Sequence, residues 1–201
     1  MDNYVYIVSS LPVLSQDWKA EDGWQAEEIV SEIKGQLSSR DNKVVDKLLD
    51  GFKDDKLDAD FYKDAAAYDQ KFIRDYFSFD LDVRNAKVRY LNQALGRPAD
   101  MDVITLAEDE ERDFEEADKL DAILHGDDIL RREKGLDDLM WEKIDALTMF
   151  HYFDLDIILG FISKLHIIDR WMKLDEKTGR EMFSKLVGEV RATFKGVEMN
   201  N

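Results

Sequence analysis

The sequence predicts an all-α fold, an array or irregular bundle of about seven or eight helices. Two observations predict it. The chain of 201 residues contains only two prolines and ten glycines, so little interrupts long helices. Apolar residues recur at spacings of three and four along most of the chain, which is typical of amphipathic helices. Residues 4–8 have strand propensity, but no second strand follows them.

The first half of the chain is predicted to contain a short lead-in and four helices. Residues 4–8 form the lead-in, either extended or helical, and residues 53–60 form a polar break between the second and third helices. Asp41 is predicted to cap the second helix. Gly96, with Pro98 just beyond it, is predicted to end the fourth. The predicted ranges are 25–37, 42–52, 61–77 and 81–95.

The second half begins with a predicted loop, residues 97–106, followed by further helices. The predicted ranges are 109–124, a short piece at 127–135, then 136–150, 154–171 and 176–194. The first of these begins with many acids, which suits the positive end of a helix dipole. We expect one all-helical domain over residues 1–201, which can be divided into lobes 1–98 and 106–201.

The charge and the missing cysteines exclude several classes of function. Lysine and arginine total 28 against 45 acidic residues, which gives a net charge of −17. A field of that sign repels phosphate groups and anionic lipid, so neither nucleic acid nor an anionic membrane surface is an expected partner. The chain has no cysteine, which excludes a disulfide scaffold, a thiolate zinc site and a cysteine nucleophile.

The most apolar segment, residues 154–171, is not predicted to cross a membrane. A transmembrane helix needs roughly 20 consecutive apolar residues, whereas charged side chains interrupt this segment throughout. The start of the chain lacks the basic region of a secretory signal. The sequence therefore predicts a cytoplasmic protein without direct membrane insertion.

No motif in the chain indicates catalysis. Neither the GxxxxGK[ST] nor the GxGxxG phosphate-binding pattern occurs. His151 near Asp154, or His166 near Asp169, could coordinate a metal ion, but the three histidines are better explained as core or surface residues. We therefore predict no catalytic residue, no metal, no cofactor and no enzymatic activity.

Residues 154–171 form two adjacent apolar stripes on a helical wheel, which together cover well over half of its circumference. A helix of this kind is contacted on several sides. Gly160 and Ser163 would let a neighbouring helix approach closely. We expect Asp156, Lys164 and Arg170, which lie on the remaining polar strip, to pair within the chain.

Two segments resemble the C-subunit family of the V- and A-type rotary ATPases, whose members are all-helical, funnel-shaped proteins, and the resemblance implies that the array is a helical funnel. The sequence FDLDVRNAKVRYLNQALG, residues 79–96, is similar to a repeated helix of that family at Asp82, Asn85, Arg89 and Gly96. Residues 154–171 resemble a second stretch of it. The matching positions of that stretch are Asp156, Phe161, Lys164, Asp169 and Arg170.

The whole chain, which begins with NYVYIVSSLP after two residues, also resembles a bacterial family of uncharacterised proteins whose genes accompany those of V-type ATP synthase subunits. The resemblance implies a non-catalytic accessory or central-stalk adaptor of such a synthase, which supports proton or sodium transport without touching ATP. The implied partners are other V-type ATP synthase subunits, namely the rotor ring and the central stalk. Through them the protein would be peripheral at the inner membrane.

Six residues are predicted to contact these partners. They are Arg84, Asn85, Arg89, Asp156, Lys164 and Arg170. Two alternatives remain open. One is a generic acidic helical module that binds a basic protein, and the other is a helical carrier of a small ligand.

Overall fold

The computed structural model describes residues 4–15, 25–106 and 114–173. Within these ranges every regular element is helical, which confirms the all-α prediction: eight α-helices are present, together with a single 3-10 turn at Asp54–Lys56. The helices α1 to α8 are Val5–Ser10, Ala26–Gln36, Ser39–Asp50, Ala59–Ala66, Lys71–Ala94, Ala117–Leu124, Ile129–Thr148 and Leu155–Lys173. The predicted helix at 176–194 lies outside the described residues.

The lead-in is helical and is joined to the rest of the chain by Tyr4. The Tyr4 backbone N–H donates to the Phe153 carbonyl at 2.7 Å, and the Tyr4 hydroxyl donates to the carboxylate of Asp41. The prediction that Asp41 caps α3 is therefore wrong. The cap is Ser38, whose hydroxyl accepts from the Asp41 N–H at 3.2 Å, because the helix begins three residues earlier than expected.

The boundary between α4 and α5 also differs from the prediction. The stripe from Phe61 to Phe77 was expected on one helix, but the chain breaks at residues 67–70 and α5 then runs without interruption to Ala94. The Arg74 guanidinium donates to the Asp69 carbonyl at 2.9 Å and also to that of Tyr68. These bonds satisfy carbonyls that the break leaves without helical partners.

The loop at 97–106 is present as predicted, and two asparagines of α5 hold it. Gly96 adopts φ 64°, which favours glycine, just after the helix. The Asn92 amide donates to the carbonyls of Ala99 and Met101 at 3.1 and 2.7 Å. Asn85 binds both backbone groups of Ile104, at 2.8 and 3.1 Å, so both asparagines, seven residues apart, fasten the loop to one face of α5.

Helix α7 joins two segments that were predicted to be separate. Asp128 caps it by accepting from the Arg131 N–H at 2.8 Å, and the helix continues through Gly135. A Cβ atom at Gly135 would lie 3.0 Å from Ile123 of α6. The glycine is thus a point of close approach between α6 and α7 rather than a helix end.

Helices α5, α7 and α8 form the centre of the bundle. Helix α7 contacts α5, α6 and α8, and α4 packs along α5, while α2 and α3 pack on α8. One continuous apolar core includes residues of both halves of the chain. Among the helices that the structure describes, none combines the length and the apolar character that crossing a membrane requires.

Close packing of α8 on α7 depends on Gly160. A Cβ atom there would lie 2.6 Å from Thr148 Cγ2 and 3.3 Å from Ile144 Cγ2. The expectation of a close approach at Gly160 is confirmed. Ser163 is fully buried, and its hydroxyl donates to the Leu159 carbonyl of its own helix at 2.9 Å.

We predict that Gly160→Ala lowers the free energy of unfolding by about 1–3 kcal/mol, because the added methyl group forces α7 and α8 apart. Urea unfolding followed by circular dichroism measures this. The matched control is Gly35→Ala in α2, where a Cβ atom meets nothing within 4 Å. The free energy of unfolding of that variant should rise by about 0.5–1 kcal/mol, since alanine restricts the unfolded chain. Equal effects of the two variants would contradict the close approach.

Candidate partner-binding groove and aromatic turn

An open cavity of about 390 Å³ lies between α5, α7, α8 and the segment that joins α3 to α4. We call it the charged groove, because acids and bases from three helices line it. Its charged residues on those helices are Asp80, Arg84, Lys87, Glu133, Asp137 and Arg170. Half of these are cations, and Asp54 of the joining segment adds a fourth acid, so the groove is nearly balanced in charge although the chain is strongly acidic.

One side of the charged groove is built around Asp80 of α5. The Tyr62 hydroxyl of α4 donates to Asp80 Oδ2 at 2.7 Å. Burial raises the pKa of the Asp80 carboxyl, whereas the Tyr62 hydrogen bond and the nearby Arg84 charge act in the opposite direction. Arg84 is thus the cation that offsets a partly buried acid.

The other side is built around Asp137 of α7, which is 9% exposed. The indole N–H of Trp171 donates to Asp137 Oδ2 at 2.6 Å, and the Arg170 guanidinium pairs with the same oxygen. Burial raises the pKa of Asp137, and Arg170 opposes that rise. Lys87 and Glu133 form a further ion pair at 3.3 Å, which links α5 to α7.

His166 lies beside these pairs as a neutral ring. It stacks on Phe52 with ring centroids 4.1 Å apart and the planes 1° from parallel. Burial lowers the pKa of His166 to about 4, and the Arg170 charge adds to the effect. The ring is therefore a packing element of the groove at neutral pH.

The structure brings together two of the six predicted contact residues and separates the others. Arg84 and Arg170 both line the charged groove. Asn85 and Arg89 lie on another face of α5, where Asn85 binds the 97–106 loop and Arg89 pairs with Asp100 at 3.1 Å. Lys164 pairs with an acid of α7.

The polar strip of α8 pairs within the chain, as expected. Arg170 pairs with Asp137, while Lys164 pairs with Asp145 and lies 4.9 Å from the Trp141 ring centroid. Asp156 accepts from the Gln70 amide. Whether these residues also contact a partner stays a prediction.

Sequence reasoning missed the acids of the groove. Asp80 lies between Phe79 and Leu81, both buried, and Asp137 follows the buried Leu136. An acid inside an apolar run is a usable signal for a buried polar contact. The abundance of acids elsewhere in the chain concealed it.

A second surface, the aromatic turn, joins α7 to α8 and was also missed. It is the run MFHYF, residues 149–153, and its large apolar side chains are exposed. The exposed fractions are 62% for Met149, 83% for Phe150, 70% for Tyr152 and 45% for Phe153. Clustered exposed aromatic residues are typical of protein-binding surfaces. The signal in the sequence was a run of aromatic residues placed just after a helix.

Beside this turn, His151, Asp154 and Asp156 have side-chain nitrogen or oxygen atoms within 4.8 Å of one another. In the part of the chain that the structure describes, this is the group of three side chains suited to a metal ion. The sequence had suggested His151 and Asp154 as a pair, without Asp156.

The fold and these surfaces define an all-helical protein with an open charged groove and an exposed aromatic turn. The family model described as "Protein of unknown function (DUF2764)" matches residues 52–193, from the end of α3 to beyond α8, and the chain belongs to that family. No curated protein and no solved structure matches the chain.

The neutral state of His166 predicts a loss of stability in acid. Its folded-state pKa of about 4 lies below the usual 6.5, so the unfolded chain binds a proton that the folded chain excludes. Stability is lost as the pH falls from about 6.5 to about 4. His166→Gln should reduce the difference in unfolding free energy between pH 7 and about pH 4.5 by roughly 2 kcal/mol.

Denaturant unfolding at the two pH values measures this difference, and comparison with the unsubstituted chain cancels the contribution of the buried acids. His125→Gln is the matched control, because His125 is exposed at the C-terminal end of α6. Because His166 is still present in this variant, the loss of stability between pH 7 and about pH 4.5 should persist. If His166→Gln loses as much stability between the two pH values as the unsubstituted chain does, His166 is not held neutral.

Proposed function

We propose that this protein is a non-catalytic accessory component of a V-type rotary ATP synthase, a central-stalk adaptor that couples the membrane ring to the stalk. The resemblance of residues 79–96 and 154–171 to the C-subunit family suggests the assembly. The observation that carries the coupling role is the presence of two separate surfaces on one closely packed helix pair, α7 and α8. The protein would work on the cytoplasmic side of the inner membrane, held there by its partners.

The two surfaces lie apart along α7 and α8. The aromatic turn joins the two helices, whereas the charged groove is lined by residues further along them. Met140 is the groove residue of α7 that lies nearest to the turn in sequence. It precedes Met149 by nine residues, which at about 1.5 Å per helical residue is roughly 13 Å. An adaptor between two partners requires two surfaces that are separated and held rigidly, and this arrangement supports that role.

The groove supports a protein partner over a small ligand. Pockets for small ligands are enclosed and mostly apolar, with a few polar groups that fix orientation. The charged groove is open, and its acids and cations pair with each other across helices. An open surface of paired charges is suited to specific protein contact, because it positions a partner electrostatically.

The generic acidic interaction module remains the second candidate, favoured by the net charge of −17. A basic partner would be attracted to the surface as a whole. The near balance of charge in the groove and the apolar character of the aromatic turn give no advantage to a basic partner at those two places.

Affinity capture from native membranes tests the adaptor role. The tagged full chain should recover subunits of the V-type synthase. Phe150→Ser with Tyr152→Ser should weaken the recovery about 30-fold, since aromatic anchors at interfaces contribute about 2 kcal/mol or more. The melting temperature should stay nearly unchanged, because both side chains are largely exposed.

The matched control for the turn is Ile129→Ser with Leu130→Ser, two side chains each 68% exposed at the start of α7. For the groove, Arg84→Ala should weaken recovery while circular dichroism shows that the chain is still folded, a check that is needed because Arg84 also offsets Asp80. Arg131→Ala, which removes an exposed arginine beside Leu130, should not weaken it. Recovery of no synthase subunit would overturn the adaptor role. Recovery of basic proteins alone would favour the generic module.

A further inference from the structure

Three side chains at the start of α8 converge on one point. His151 Nδ1 lies 2.6 Å from Asp154 Oδ2 and 3.2 Å from Asp156 Oδ2. An imidazole nitrogen carries at most one hydrogen, which makes one good hydrogen bond. Here two carboxylate oxygens, which repel each other, are directed at that nitrogen.

The remaining oxygens of both carboxylates are held by donors of the chain. Asp154 Oδ1 accepts from the Ile157 backbone N–H at 3.4 Å at the beginning of α8, and Asp156 Oδ1 accepts from the Gln70 amide. The His151 backbone N–H donates to the Thr148 carbonyl at 3.0 Å, which holds the histidine at the end of α7. Donors that fix one oxygen of a carboxylate while the other faces a common point are typical of metal sites.

We propose that His151, Asp154 and Asp156 bind one divalent transition-metal ion, with Zn²⁺ the best match, and that Gln70 positions Asp156. A divalent cation balances the two carboxylates and bonds to the neutral imidazole. One nitrogen and two oxygens suit Zn²⁺ or Mn²⁺, whereas Ca²⁺ and Mg²⁺ favour oxygen ligands alone. Three protein ligands leave one position open.

The distances allow the ion to enter with small movements. Tetrahedral zinc with bonds of about 2.0–2.1 Å holds its ligand atoms roughly 3.3 Å apart. The distance from His151 Nδ1 to Asp156 Oδ2, 3.2 Å, already fits. The distance from His151 Nδ1 to Asp154 Oδ2, 2.6 Å, must increase by about 0.7 Å. Asp154 and Asp156 also line an open cavity of about 860 Å³, which provides a path from solvent.

Positively charged side chains near the site oppose the binding of a metal ion. Lys71 acts on the Asp156 carboxylate, and Arg40 and Lys43 line the same open cavity. Lys71 pairs with Asp75 and is largely exposed, so water and that acid screen its charge. Asp156 itself is only 9% exposed, which strengthens its attraction for an ion placed beside it.

The bound ion would fasten the aromatic turn. It would join the end of α7 to the start of α8, and through Asp156 and Gln70 to the segment before α5. This inference does not depend on the adaptor role, since it concerns an ion and not a protein partner.

Calorimetry with ZnCl₂ on the chelator-treated full chain tests the site. One equivalent should bind and the melting temperature should rise, because the ion binds the folded chain. His151→Gln and Asp156→Asn should each reduce affinity about 100-fold or more, and Gln70→Ala about tenfold, as expected for a group that positions a ligand. Co²⁺ in place of Zn²⁺ should give a visible absorption that these variants lose.

His125→Gln is the matched control. His125 Nδ1 lies 3.3 Å from Asp121 Oδ1 in a pair that belongs to no group of three ligands within the described residues. The His125→Gln variant should bind Zn²⁺ as tightly as the unsubstituted chain does. Asp154→Asn tests the third ligand. Its side chain keeps an oxygen that can cap α8, and circular dichroism checks that the variant is folded. No binding to the unsubstituted chain, several weak equivalents, or equal affinity in His151→Gln and His125→Gln would each overturn the site.

Discussion

The close contact of α7 with α8 at Gly160 is the constraint on which the other features depend. It brings the two backbones together at Thr148, next to the turn, and so determines where the aromatic side chains and His151 lie. Helix α8 is apolar around most of its circumference, so α2, α3 and α7 can pack on it from several sides. A helix enclosed in this way has few alternative positions, since packed interiors resist continuous deformation.

Buried or half-buried acids then fix how the helices align. Asp80 links α5 to α4, and Asp137 links α7 to the end of α8. Asp156 links the start of α8 to the segment that precedes α5. Burial raises the pKa of each of these acids, and each has a donor or cation of the chain beside it. Such contacts are sensitive to helix register, because a sliding helix would leave a buried acid without its donor.

Apolar spacing was enough to predict the helices, but not all of their ends. Periodicity cannot distinguish Gly135 as a helix end from Gly135 as a contact, because only the neighbouring α6 decides which it is. Capping by Asp41 and capping by Ser38 are equally compatible with the local sequence. The groove was beyond sequence reasoning, since Arg84 and Arg170 line one cavity only because α5 and α8 both pack on α7.

In the proposed adaptor role, the two surfaces would divide the work of binding between affinity and orientation. The cations of the charged groove lie beside acids of the same chain, so their positions are set before any partner arrives. Ordered side chains lose little entropy on binding, but paired charges add little net affinity. Exposed aromatic side chains at the turn, in contrast, gain from burial. A partner would therefore be held at the turn and oriented at the groove, and the rigid contact at Gly160 would transmit force between partners at the two places.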